Sequence, residues 1–315
     1  MSAGTSGRIL VLGGAGRFGR AAAEAFRDAG WQVASLVRGA SADGAAPGTQ
    51  VVEVDARDTE SVAEAAHGMD VILHALNPPY TDWATQMPVL AEAAIAATRA
   101  SNATLLLPGN VYNYGAAMPE VLDERTPMRP TSHKGVLRVA LETRLREAEI
   151  RAIVLRAGDF LGGGSSGSWF DRVITRYVEH GRLTYPGPLD VVHEWAYLPD
   201  LVAAMVPIVE ARAQFDEFET FGFPGHAVTG AEFTRAIMRA LRRDLKVSGM
   251  PWWLLRRLGA IVPTFRELAE MSYLWDVPHR IDGRKLEAAL GVVPHTPFET
   301  AISKSLDELG LLKRR

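Results

Sequence analysis

Residues 8–20 read R-I-L-V-L-G-G-A-G-R-F-G-R. A short branched apolar run passes directly into a glycine-rich turn. A helical repeat follows, with Phe18, Ala22, Ala25, Phe26 and Ala29 on one face. Gly13, Gly16 and Gly19 have G-x-x-G-x-x-G spacing. Glycines there let the main chain turn tightly and approach a diphosphate seated on a helix N-terminus. The spacing alone is a weak signal, but its place between a strand and a helix predicts a dinucleotide site. Its members are Gly13, Gly14, Ala15, Gly16, Arg17, Phe18 and Gly19. A tight turn without a ligand is the alternative.

Outward from this turn, strand-like and helix-like segments alternate through the first 160 residues. Strands are expected at Arg8–Leu12, Gln32–Val37, Gln50–Val54, Val71–Ala75, Thr104–Leu107 and Ala152–Leu155. Most are almost continuously apolar, as strands covered on both faces are. Helices are expected at Phe18–Ala29, Thr59–His67, Met87–Ala100 and Lys134–Ala148. The alternation predicts an α/β fold: a Rossmann-type doubly wound parallel sheet with a smaller, mostly helical C-terminal substrate lobe. Residues 1–160 are read as the NADP-binding domain and 161–315 mainly as the substrate lobe, with 190–212 returning to the core.

Beyond Arg156 the rhythm breaks. A Gly/Ser loop at Gly162–Ser168 precedes an expected helix at Trp169–His180. Arg182–Glu194 reads as irregular, and Asp200–Arg212 as helix with a kink at Pro207. Thr229-Gly-Ala-Glu232 is a capping box opening a helix to about Arg243. Pro251–Tyr273 reads as packed helix, its two tryptophans as core.

The composition is that of an ordinary globular protein: 47% hydrophobic, 23% charged, net charge −3. No basic surplus points to nucleic acid or anionic lipid. The absence of cysteine excludes disulfides, thiolate catalysis and Cys-based zinc sites, and a reducing cytoplasm is the expected compartment. The first residues lack a signal-peptide pattern, and no run of about 18 apolar residues would span a membrane. No two of the eight histidines have His-x-x-x-His spacing, so no metal site is expected.

The second strand ends in Val37-Arg38-Gly39, where a carboxylate would bind the 2′-hydroxyl of NAD. A guanidinium at Arg38, with Arg17 in reach, suits a 2′-phosphate instead. NADP is therefore expected over NAD. Asp55, after the third strand, is a candidate for the adenine amino group or a simple turn residue. Ala75-Leu-Asn77 follows the fourth strand close to the expected cofactor path, and Asn77 is a candidate ribose ligand.

These features resemble the short-chain dehydrogenase/reductase superfamily, in its extended and atypical branches, which include the NAD(P)-dependent epimerase/dehydratase-like proteins. Arg156-Ala-Gly-Asp-Phe-Leu-Gly162 resembles the family's R-P-G-x-x-Y-G run. Tyr197-Leu-Pro-Asp200 resembles the segment that closes over substrate, and Asn110-Val-Tyr-Asn-Tyr-Gly115 the fifth-strand run ending in Y-G. The resemblance implies a Ser-Tyr-Lys set, and here the set is replaced. Asn110 stands for the Ser or Thr, Lys134 for the tyrosine and Arg138 for the lysine of Tyr-x-x-x-Lys.

Three roles are open for Lys134: proton donor, ligand of the nicotinamide ribose, or helix start. Reduction of a carbonyl needs a proton source within about 3 Å of the developing charge. Tyr80, Tyr112 and Asn110 are the other candidates, with Tyr114 in plausible reach and His133 read as a solvated neighbour. Gly163-Gly-Ser165-Ser-Gly167 matches G-x-S-x-G as letters but lies in a loop, so a serine nucleophile is not expected.

The preferred reading is an NADP-dependent reductase of a small carbonyl-like substrate, with Trp83, Trp169 and Trp195 lining an apolar cleft. A nucleotide-sugar epimerase or dehydratase is the first alternative. A non-catalytic sensor of NADP redox state is the second. A homodimer is the expected assembly.

Overall fold

Seven strands of this chain lie parallel because the five inner ones are apolar on both faces and each strand is joined to the next by a covering segment. The structure, a computed structural model, describes residues 7–164 and 167–312, and the backbone only for 40–42. Residues 1–6, within the stretch read above as lacking a signal-peptide pattern, lie outside the described residues. Along the chain the first strands are β1 (Arg8–Leu12), β2 (Gln32–Val37), β3 (Gln50–Glu53), β4 (Val71–His74) and β5 (Thr104–Gly109). They are followed by β6 (Val121–Leu122), β7 (Ala152–Arg156), β8 (Asp159–Leu161), β9 (Arg182–Tyr185), β10 (Val192–Tyr197) and β11 (Phe218–Gly222). The main sheet has the order β11-β7-β5-β4-β1-β2-β3. The chain runs outward from β1 to β3, then crosses to lay β4 on the other side of β1. The cleft of such a sheet opens at that reversal, beyond the carboxyl ends of the strands.

Alternate residues of one strand feed opposite layers. Leu10 and Leu12 pack with Ile72, Leu105 and Leu107 on one face. Ile9 and Val11 pack with Leu73, Leu106 and Ile153 on the other. The first layer is covered by α2 (Thr59–Ala65), α3 (Trp83–Ser101) and α4 (His133–Glu147), the second by α1 (Arg17–Asp28) and α5 (Leu198–Glu210). The predicted strands and helices of the first 160 residues all form, within a few residues of their expected ends.

The C-terminal half departs from expectation in four places. The helix expected over Trp169–His180 is a single wide turn at Phe170–Ile174 followed by turns. The segment read as irregular, Arg182–Glu194, holds β9 and enters β10. The seventh strand of the main sheet, β11, was not expected at all. Its sequence FETFG is only partly buried and lacks the apolar continuity of the inner strands. The stretch Pro251–Tyr273 breaks into short helices, and one of its two tryptophans faces out.

The smaller lobe contains β12 (His226–Thr229), β13 (Lys246–Gly249) and β14 (Arg280–Ile281), and helices α6 (Gly230–Leu241), α7 (Trp252–Leu258) and α8 (Pro263–Glu270). The capping box at Thr229 forms as expected. β8 and β12 flank β10, while β13 pairs with β9 and β14 with β6. Among the described residues no helix is long and apolar enough to cross a membrane.

One buried ion pair joins helix to sheet at the cleft. Arg156, at the end of β7, donates to Glu142 of α4 through two nitrogens, at 2.7 and 3.0 Å. The same guanidinium donates to the Asn110 carbonyl (2.7 Å), and Asn113 donates to Glu142 (2.9 Å). Breaking a buried pair strands a charge and costs about 3–5 kcal/mol. Arg156→Met should therefore lower unfolding stability by about 3 kcal/mol or more in urea titrations. A loss under about 1 kcal/mol would show that the pair does not hold α4 in place.

Candidate active site

The glycine turn has the shape a diphosphate needs. Gly13 turns at φ +90°, and the Gly16 N–H donates to its carbonyl (3.0 Å). A Cβ on Gly19 would lie 2.2 Å from that same carbonyl, so only glycine lets α1 start so close to the turn. Gly16 caps α1 without a side-chain bond, and the first turn holds no acid. The open N–H groups and the positive helix end suit an anion.

The adenosine side shows less convergence. Arg38 is exposed at the end of β2. Arg17 points elsewhere: its guanidinium lies 3.6 Å from Asp171, largely buried against the smaller lobe. Burial lowers its pKa, with Asp171 and Glu308 acting in the opposite direction. Arg17 and Arg38 are thus not brought together on one phosphate. Asp55 is gripped by the backbone and guanidinium of Arg57 (2.5 Å at closest), which holds its carboxyl at about 2.

Lys134 occupies a place the sequence does not announce. It starts α4 behind the cap Ser132, whose hydroxyl accepts from the Gly135 N–H (3.0 Å). Its side chain is 1% exposed. The ammonium donates to Glu267 Oε2 (2.5 Å), the Glu267 carbonyl (2.9 Å) and Glu270 Oε2 (2.9 Å), both residues lying on α8. An ammonium has three protons, and all three have partners within the protein. Glu270 also accepts from the N–H of His133, whose side chain is exposed as expected. The ammonium stands 5.0 Å from the Tyr80 ring centre.

Two phenols meet below it. The hydroxyls of Tyr80, after β4, and Tyr112, after β5, are 3.3 Å apart. Gly135 makes the approach of α4 possible, because a Cβ there would lie 2.4 Å from the Tyr112 carbonyl. Burial raises the pKa of Tyr80, and raises that of Tyr112 well above the usual phenol. For both, Asp159 adds to the rise and Arg138 opposes it. Both therefore stay protonated at neutral pH and remain donors. Asn110 Oδ1 accepts from the Tyr112 N–H (3.0 Å), which caps the turn carrying Tyr112. Tyr114 is buried under Arg156, 5.3 Å from its guanidinium.

Arg138 reaches past the phenols. Its guanidinium lies 4.8 Å from the Trp83 ring centre, and its Nε has no partner among the described residues. His74 Nδ1, at the end of β4, is likewise without a partner. His74, Asn77 and Arg138 border a cavity of about 10 Å³, room for one water. Burial, with Arg138 nearby, lowers the His74 pKa to about 4.

Asp159 and His193 form a pair that the sequence reading did not single out. Asp159 Oδ2 is 2.9 Å from His193 Nε2, while His193 Nδ1 faces the Leu274 carbonyl at 3.3 Å. His193 stacks flat on Trp275, ring centres 4.3 Å apart. Asp159 lies inside the R-A-G-D-F-L-G run, the only signal that could have found it. The strand carrying His193 had been read as irregular chain.

The three tryptophans expected to line the cleft are all buried core: Trp169 and Trp195 pack in the aromatic cluster around Trp275, and Trp83 has its N–H on the Pro78 carbonyl (2.9 Å). Ser165 lies outside the described residues. Among those residues no group of three or more metal-ligating side chains occurs.

With the geometry in view, the comparisons place the chain. Residues 9–221 match the NAD dependent epimerase/dehydratase family, so this chain belongs to that family. Its fold is that of an inferred epimerase from Burkholderia cenocepacia J2315, with a TM-score of 0.75 at 21% identity over 96% of this chain and 98% of the other. The UDP-glucose 4-epimerase from Brucella ovis in complex with NAD gives a TM-score of 0.74 at 16% identity over 95% and 97%. MoeE5 in complex with UDP-glucose and NAD gives 0.75 at 17% over 96% and 98%. A search of curated proteins found no match.

Replacing Lys134 separates its roles. Lys134→Met leaves Glu267 and Glu270 without their cation. Amide exchange in α8 should then quicken and stability fall by about 1–3 kcal/mol, discounted because both carboxylates keep some solvent contact. Dinucleotide affinity should hold. Lost affinity with α8 unchanged would make Lys134 a cofactor ligand instead.

Proposed function

We propose that this chain is an NAD(P)-dependent oxidoreductase acting on a small carbonyl or alcohol, with the Tyr80–Tyr112 pair as its proton source. The observation carrying this reading is the 3.3 Å contact between the half-buried Tyr80 and buried Tyr112 phenols beyond the carboxyl ends of β4 and β5. Those ends border the cleft of a doubly wound sheet. The phenols stand beside α4, where Lys134 has displaced the expected tyrosine.

The residues present fit the cofactor. Gly13–Gly19 would cradle the diphosphate, Asn77 and Arg138 would face the ribose side, and Ala75 would wall the passage. Arg38 is the one guanidinium placed to favour a 2′-phosphate, and Asp55 would have to leave Arg57 to meet an adenine. NADP accordingly rests on Arg38 alone, whereas relatives of known structure hold NAD. When bound, the nicotinamide supplies or accepts the hydride.

The protein's own part is proton handling and enclosure. Tyr112, or Tyr80 through it, donates to the substrate oxygen. Arg138 stabilises the phenolate left behind, since its charge already opposes the effect of burial. Asp159, paired with His193, raises the pKa of both phenols. Lys134 positions α8 over the cleft and transfers no proton. Trp169, Trp275 and His193 are buried core packing and leave the substrate's polarity open. A homodimer and a cytoplasmic setting remain part of this reading.

Nucleotide-sugar epimerisation is the second reading, favoured by the UDP-sugar epimerases of the same fold. It requires a cofactor that stays bound through turnover. The test combines fluorescence titration with NADPH and NADH, turnover on aldehydes, ketones and UDP-glucose, and the variant Tyr112→Phe. Expected are dinucleotide binding, reduction of a carbonyl substrate, and a kcat about 10²–10⁴-fold lower in the variant with KM little changed. A variant as fast as its parent removes the phenols from the mechanism. Turnover of UDP-glucose, with tightly held cofactor released only on denaturation, would select the epimerase.

A further inference from the structure

Two adjacent tryptophans of α7 have opposite fates. Trp252 points inward: its N–H donates to the Pro186 carbonyl (2.7 Å), and its ring lies edge-on to Trp169. Leu255 is buried beside it. Trp253 points outward and is 61% exposed, and Leu254 and Leu258 are exposed with it. The patch continues through the turn to α8, where Ile261 is 83% exposed and Val262 is open as well. Scattered single apolar residues need no explanation, but five on one turn and helix face do.

The charge on this surface has one sign. Residues 250–266, M-P-W-W-L-L-R-R-L-G-A-I-V-P-T-F-R, contain three arginines and no carboxylate. Arg256 donates to the Ser272 hydroxyl (2.9 Å) and Arg257 lies over the Trp253 ring at 5.6 Å. Arg266 is exposed, with a long 3.6 Å contact to Glu267. The two acids that follow on α8, Glu267 and Glu270, are turned inward to Lys134. The Lys134 ammonium balances one of these two charges, and Glu267 also faces Arg266, so Arg256 and Arg257 are the arginines without a carboxylate in this segment.

We infer that the α7–α8 face is a seat for an anionic lipid surface. Trp253, Leu254, Leu258, Ile261 and Val262 would enter the headgroup and acyl boundary, while Arg257 and Arg266 stay at headgroup level. A tryptophan suits that boundary because its ring is apolar and its N–H is not. Arginines extend from an apolar face to reach phosphates. Self-association fits less well: a two-fold interface would set the three arginines of one copy against those of the other. Neither a spanning helix nor a long basic block is needed, because burial of a few side chains and a local positive charge act together. The inference stands apart from the proposed reaction.

The test uses the full chain and vesicles of phosphatidylglycerol mixed with phosphatidylcholine, against phosphatidylcholine alone. The chain should sediment with the anionic vesicles and release as salt rises from about 50 to 500 mM, through screening. W253S/I261S should abolish sedimentation, and R257Q should weaken it by roughly fivefold, the share of one arginine near an anionic surface. All three residues are exposed, so circular dichroism and dinucleotide binding should match the parent. No sedimentation with anionic vesicles would overturn the inference, as would equal sedimentation of W253S/I261S. A parent dimer that W253S/I261S turns into a monomer, without vesicle binding, would assign the face to a second copy and also overturn it.

Discussion

The contact between Arg156 and Glu142 decides where every other group of the cleft stands. It ties the end of a central strand to the middle of α4, away from water. The same guanidinium holds the Asn110 carbonyl, and the same carboxylate holds Asn113. Three chain segments 14 to 46 residues apart are thereby locked at one point. Buried charges of this kind add little stability compared with an apolar substitute, but they are costly to mismatch. Their effect is to fix one arrangement of α4 against the turn that carries Tyr112. Residues 134 and 138 then face the cleft by consequence.

From that arrangement the chemistry of the exchanged residues follows. A lysine in place of tyrosine at position 134 brings a flexible cation where a rigid donor is expected. The fold answers with two carboxylates from α8, which use all its protons. The cation becomes a clamp between lobes, and in the proposed reaction the donor is a phenol from a neighbouring loop. Arg138, in place of lysine, keeps a positive charge beside the phenols.

Legibility in the sequence followed the range of the interactions. The inner strands and the glycine turn were readable because their signals are local: unbroken apolar runs and fixed spacing. β11 was not readable, since a partly buried edge strand written F-E-T-F-G has neither continuity nor clean alternation. The strands at 182–185 and 192–197 pair with distant segments, and the two prolines between them make the stretch resemble loop. The partners of Lys134 lie 133 and 136 residues away, so no spacing rule could connect them. Asp159 and His193 meet only through the pairing of β8 with β10. Trp253 was misread for another reason: adjacent tryptophans cannot share one face of a helix, and composition alone does not say which is inside.

A crystal structure of the chain with NADP⁺ bound would test the central claim most directly, by locating the nicotinamide C4 atom. The account predicts the diphosphate on the Gly13–Gly19 turn, C4 next to the Tyr80 and Tyr112 hydroxyls, and Lys134 still paired with Glu267 and Glu270. A nicotinamide seated against a Lys134 released from both glutamates, with the phenols turned away, would contradict it.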